Sequence, residues 1–131
     1  MTRVVEILGD SLSRKQKSML ALATKMAAAS DLAQKHGAVI VKNGRVLALG
    51  INKQKNADIN TPYAVNVPEY FTVHAEADAI NRCANTEGAT IYIARINKNG
   101  EERFSRPCDN CAETIRKAGI RTVIYTLTEG E

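Results

Sequence analysis

The stretch Ala89-Thr90-Ile91-Tyr92-Ile93-Ala94-Arg95-Ile96 is a strand by its β-branched and apolar content. A polar excursion from Asn97 to Ser105, turning at Asn99-Gly100, follows it. Residues Cys108 to Ala118 then form a helix, with Pro107 suited to the first turn and Gly119 to the C-terminal end. Arg121-Thr122-Val123-Ile124-Tyr125-Thr126-Leu127 is a second strand. A strand, a helix and a strand in that order describe a parallel crossover. Upstream, Gly37-Ala38-Val39-Ile40-Val41 and Arg45-Val46-Leu47-Ala48-Leu49-Gly50 flank Lys42-Asn43-Gly44, and Asn-Gly between apolar runs marks a β-hairpin. The expected fold class is therefore α/β, a three-layer α/β/α arrangement with a mixed sheet of about four to five strands.

Outward from this frame, Met19, Leu22, Ala23, Met26 and Ala27 recur at three- and four-residue steps, which predicts an amphipathic helix from about Ser13 to Gln34. A second helix is expected from Ala75 to about Asn85, ending before Gly88. Between residues 51 and 73 lies a long irregular loop holding Pro62 and Pro68. With 131 residues, 44% hydrophobic and 24% charged, and no repeat, linker or low-complexity tract, residues 1–131 are expected to form a single domain. No apolar run approaches the roughly 20 residues of a membrane helix, and the N-terminus lacks a charged-then-apolar leader. Three cysteines argue against a disulfide framework, so the expected location is the cytoplasm. The formal charge is +4, concentrated in the first 60 residues, a balance that could steer an anionic ligand.

The chemistry-bearing residues lie in the second half. On the helix near His74, Glu76, Ala79, Ile80 and Cys83 share one stripe, so a carboxylate falls on the buried face. Such a group needs a specific partner or has a task that uses a shifted pKa. Cys108 and Cys111, three apart at a helix start, point two sulfurs inward where the helix dipole favours thiolates. Cys83 lies nine residues past His74, about 13 Å along a continuous helix, and is assigned to the core. His36 could join a metal site only if the fold carried it there.

His74-Ala75-Glu76 and Pro107-Cys108-Asp109-Asn110-Cys111 match the H-x-E…P-C-x-x-C signature of zinc nucleobase deaminases. From the first helix to the last strand the chain resembles the cytidine and deoxycytidylate deaminase superfamily, most closely its deoxycytidylate and phage-like members. The resemblance implies the cytidine-deaminase-like fold, Zn2+ as cofactor, His74, Cys108 and Cys111 as metal ligands, and Glu76 as the catalytic proton shuttle. It also implies substrate contacts from Asn52, in Gly50-Ile51-Asn52, and from Ala75. Three ligands leave a fourth tetrahedral position for water, the arrangement of a catalytic zinc. Asp78 departs from the Asn common among deoxycytidylate enzymes, and the excursion before Pro107 is longer than in simple cytidine deaminases. Many relatives add a helix and a fifth strand, so an uncovered edge or face and a homo-oligomer are expected.

The implied reaction replaces the exocyclic amine of a cytosine nucleotide or nucleoside with oxygen and releases ammonia. Lys53, Lys55 and Arg106 are the phosphate-contact candidates. The alternatives are a polynucleotide deaminase using Tyr63, Tyr70 and Phe71 to stack bases, a non-catalytic zinc-stabilised binding module, and a thiol redox protein. Small-molecule substrates are expected over nucleic acid, and no membrane.

Overall fold

The computed structural model describes residues 3–6, 12–32, 34–54, 72–103, 105 and 109–125. In chain order the elements are β1 (Arg3–Glu6), α1 (Arg14–Ala27), β2 (Lys35–Lys42), β3 (Arg45–Ile51), β4 (Lys53–Gln54), β5 (Thr72–Val73), α2 (Ala75–Asn81), β6 (Thr90–Ile96), β7 (Glu102–Arg103), α3 (Asp109–Lys117) and β8 (Thr122–Tyr125). The main sheet has the order β1-β8-β6-β2-β3, with β7 paired to β6, and β4 pairs with β5 in a separate ribbon. β8 runs parallel to both β6 and β1, whereas β2 is antiparallel to β3 and β6. The mixed sheet and the crossover through α3 agree with the sequence.

Alternation along the central strands assigns each residue to one of two layers. Ala38, Ile40, Ile91, Ile93, Val123 and Tyr125 pack with Ala75, Ala79 and Ile115 under α2 and α3. Val39, Val41, Tyr92, Ala94 and Ile124 pack on the other face with Ala23, Met19 and Leu22 of α1. Strands buried on both faces read as continuous apolar runs, as these do. Ser13 caps α1 reciprocally with Gln16, accepting from its N–H at 3.1 Å while the Gln16 side chain accepts from Ser13 N–H at 2.8 Å. Asn43 and Gly44 both take positive φ, as the two-residue hairpin turn requires.

Several boundaries differ from expectation. α1 ends at Ala27, not near Gln34: past it Ala29 N–H and Ser30 N–H bond three residues back, to Met26 O and Ala27 O, and the Ser30 hydroxyl donates to Asn52 O and accepts from Leu32 N–H. α2 stops at Asn81, four residues early, with Arg82 as its C-cap. β1 has no counterpart in the sequence reading; four residues find their register only against β8, and they cover the sheet edge expected to stay open. Within the excursion after β6, β7 returns as a short hairpin. Only the ends of the loop expected over 51–73 are described, joined through β4 and β5, and Tyr63, Tyr70 and Phe71 lie outside the described residues. No helix among the described residues is long and apolar enough to cross a membrane.

Two glycines permit the layers to close. A Cβ on Gly37 would come within 2.1 Å of Ala23 O, and one on Gly50 within 2.4 Å of Ala75 O and 2.5 Å of Ala79 N. The backbones of α1 and α2 thus rest directly on opposite faces of the β2–β3 hairpin. Gly37→Ala and Gly50→Ala are each expected to cost about 3 kcal/mol by displacing a helix, read as a lower denaturation midpoint at unchanged slope.

Candidate active site

α2 begins on Gly50, so its first turn lies over the end of β3. His74 holds the N-cap position with extended backbone and makes no side-chain cap bond. Its imidazole turns instead toward the first turns of α3, where Nδ1 lies 2.8 Å from Cys111 Sγ. Glu76, 3% exposed, joins them: one ligand atom from each of His74, Glu76 and Cys111 falls within 4.8 Å of the others. Cys108, Pro107 and Arg106 lie outside the described residues. Cys83 packs against the core under α2, with Sγ 3.4 Å from Asn85 O, and takes no part in the cluster.

Two carboxylates two residues apart experience opposite fields. Burial pushes the Glu76 carboxyl above its ordinary range, against its own backbone N–H, Cys111 and the charge of His74. Its Oε1 has no hydrogen-bond partner among the described residues. Burial also acts on Asp78, but there Lys53, the Ile51 N–H and Arg82 prevail and hold the carboxyl below its ordinary range. Asp78 accepts from Lys53 Nζ at 2.8 Å, from Ile51 N–H at 3.1 Å and from Arg82 Nε at 3.2 Å. It therefore fastens α2 to the end of β3. Of these three contacts only the one to Arg82, four residues on, has a signal in the sequence. Lys53, a phosphate-contact candidate by sequence, is engaged in this ion pair.

Asn52 is 8% exposed and directly precedes β4, whose partner β5 leads into His74. Its Oδ1 accepts from His36 N–H at 2.8 Å and its Nδ2 donates to Gln34 O at 2.6 Å, which leaves one amide hydrogen and one lone pair for a ligand. Ala75, fully buried at the first position of α2, presents its backbone in the helix turn whose N–H groups lack intrahelical partners. The fold carries His36 into electrostatic reach of His74, though not into the clustered ligand atoms. Burial, with the charges of Arg95 and His74, lowers the His36 pKa to about 4.

An imidazole nitrogen and a sulfur in contact, with a buried carboxylate beside them, are the donor types that zinc takes. An acceptor buried without a donor, as Glu76 Oε1 is, suits a position next to a cation or a proton-donating ligand.

Because the folded pKa of His36 lies below the unfolded value of 6.5, the unfolded chain binds more protons between pH 6.5 and about 4. The stability from the neutral ring is complete above pH 6.5 and is lost as the pH falls toward 4. Melting temperature should drop over that window, and the drop should be smaller in His36→Gln when both proteins are scanned at each pH.

Residues 13–127 match the model of the cytidine and deoxycytidylate deaminase zinc-binding region. ComE operon protein 2 of Bacillus subtilis (strain 168) is 31% identical over 97 residues, 68% of this chain and 46% of that protein, so the chain spans about half of that relative's length. A dCMP deaminase from the cyanophage S-TIM5 superposes with a TM-score of 0.66 at 24% identity, over 87% of this chain and 84% of that one. Guanine deaminase from Bacillus subtilis superposes with a TM-score of 0.55 at 23% identity, over 88% of this chain and 64% of that one. The match over nearly all of the sequence, on a fold that brings His74, Glu76 and Cys111 together, shows that the chain belongs to the cytidine and deoxycytidylate deaminase family of zinc-dependent hydrolytic deaminases.

Proposed function

We propose that the protein deaminates a cytosine nucleotide or nucleoside, with zinc held by His74, Cys108 and Cys111 and protons moved by Glu76. The observation that carries this reading is the buried Glu76 carboxyl beside the His74 Nδ1 to Cys111 Sγ contact. The likeness to a dCMP deaminase over most of both chains supports a cytosine substrate.

When bound, zinc supplies the acidity that makes water a nucleophile at neutral pH. Glu76 accepts one proton of the attacking water and gives it to the ring nitrogen, then carries the second proton of that water to the exocyclic amine, which leaves as ammonia while the oxygen stays on the ring. Burial raises the affinity of Glu76 for a proton, which suits a group that must hold one between these transfers. The Ala75 N–H, at the start of α2, donates to the base, and the remaining amide capacity of Asn52 serves the sugar. Asp78 and Gly50 contribute by fixing the height and tilt of α2, and so the aim of Glu76. The protein acts in the cytoplasm and assembles as a homo-oligomer in this reading.

Ammonia release should be measurable from dCMP, CMP or their nucleosides, and conversion restricted to adenosine or guanine compounds, or to polynucleotides, would overturn the cytosine assignment. In Glu76→Gln, turnover should fall roughly 10²–10⁴-fold with zinc near one per chain, because shape and polarity stay while the proton acceptor goes. His74→Ala, Cys108→Ser and Cys111→Ser should each lose most of the zinc by elemental analysis, together with activity.

A further inference from the structure

The basic charge of the first 60 residues has no part in the zinc cluster, and the fold gathers some of it at one place. α1 opens on Arg14, Lys15 and Lys17, with no acid in its first turn. That inverts the usual arrangement, because a helix N-terminus carries partial positive charge and cations there destabilise the helix. The reciprocal cap engages the N–H groups of Ser13 and Gln16, and those of Arg14 and Lys15 make no backbone hydrogen bond among the described residues. An anion at this end offsets both the lysine charges and the free N–H groups.

A cavity of about 250 Å³ lies there, between the first turns of α1 and the turn of the β2–β3 hairpin. Its lining holds two lysines, Lys15 and Lys42, and no acid. Lys15 Nζ crosses over the turn, 2.7 Å from where a Cβ on Gly44 would stand, and half-buried Lys42 reaches toward Gly88, its Cε 3.9 Å from the corresponding point. Neither ammonium makes an ion pair among the described residues. Tyr92 of β6 also lines the cavity; the residue is 6% exposed, and its hydroxyl makes no hydrogen bond among the described residues. Burial pushes the phenol pKa up, so the group stays a donor. Buried polar groups are ordinarily hydrogen-bonded, and an anion accepts from this phenol and from the two ammonium groups alike.

We infer that this cavity binds a phosphate dianion, free or as a small monoester, through Lys15, Lys42, the Tyr92 hydroxyl and the first turn of α1. Lysines serve phosphate as point charges, and a phenol adds a directed, charge-assisted hydrogen bond. The volume falls short of the roughly 300–1,000 Å³ of drug-sized pockets, which suits a phosphoryl group with few atoms beyond it. Tyr92 and Val41 belong to the layer under α1, across the sheet from the core that α2 and α3 cover. The site is therefore separate from the zinc cluster, and it stands whether or not the cytosine reading does.

Calorimetric titration of the full chain with inorganic phosphate and with glycerol 3-phosphate, at fixed ionic strength, tests the site. Wild type should show saturable binding at one site per chain, and the bound anion should raise Tm relative to chloride. Tyr92→Phe and Lys42→Gln should each weaken binding by about 10-fold or more, the effect of losing a hydrogen bond to a charged group. Tyr92→Phe keeps the ring and every charge, so its loss separates a built site from general attraction to a basic surface. Lys25→Gln, which removes the same charge at the far end of α1, should bind as wild type does. Should Tyr92→Phe fold poorly, the exposed Lys15→Gln replaces it, with weakened binding again expected. Whichever of the two small phosphates binds more tightly identifies the source, free ion or monoester. No saturable binding of either, wild-type affinity in Tyr92→Phe or its replacement, or equal losses in Lys25→Gln and Lys42→Gln overturns the site. Binding of a single-stranded oligonucleotide without either small phosphate overturns it too, and assigns the basic face to a polymer.

Discussion

The contact between the backbone of α2 and Gly50 is the constraint on which the site depends. A helix normally stands off a sheet by the thickness of two side-chain layers. Here Ala75 and Ala79 meet a glycine, and the helix axis drops until backbone atoms touch the place where a Cβ would be. This depth buries Glu76 on the second position of the helix and carries His74, one residue before it, to the level of Cys111. Ala79 and Ala75, both fully buried, are small for the same reason.

Depth alone would leave the helix free to rotate, and Asp78 removes that freedom. Its carboxylate receives the Ile51 N–H, the last of β3, together with Lys53 and Arg82. A hydrogen bond between a charged side chain and a backbone N–H at a strand end is directional, and it stabilises by more than a neutral pair. The two acids of α2 thus divide structure from chemistry. Asp78 is ionised by its partners and holds the helix; Glu76 is buried against one sulfur and one imidazole, a costly position that hydrophobic packing around it sustains.

The layers respond to the same logic at larger scale. Central strands covered on both faces must be apolar throughout, which leaves polar function to the strand ends and to the loops leaving them. At one such end Asn52, His36, Arg95 and Arg103 succeed one another across four segments, bringing an amide, an imidazole and two guanidinium groups together. β1 closes the opposite edge of the sheet by pairing with β8, so the sheet gains a fifth member of its main path from the N-terminal side.

The central strands, the hairpin turn at Asn43-Gly44, the Ser13 start of α1 and the pairing of His74 and Glu76 with a downstream cysteine were legible in the sequence, because each rests on local periodicity, turn chemistry or motif spacing. β1 was not, since a strand of four residues has no local signal strong enough to compete with coil and is defined by its partner. The early ends of α1 and α2 likewise came from Ser30 and Arg82 satisfying backbone groups in ways that periodicity does not encode. Asp78 looked like a substitution of unknown effect until the fold set it against Ile51, 27 residues away in the chain. The residues that gather at the candidate site, His74, Glu76 and Cys111, were therefore legible in the sequence alone, while the helix depth set by Gly50 and the carboxylate that locks it were decided only by tertiary structure. The physical reason is that each of these joins α2 to the end of β3, more than twenty residues away in the chain, so its free energy exists only once strand and helix are both in place.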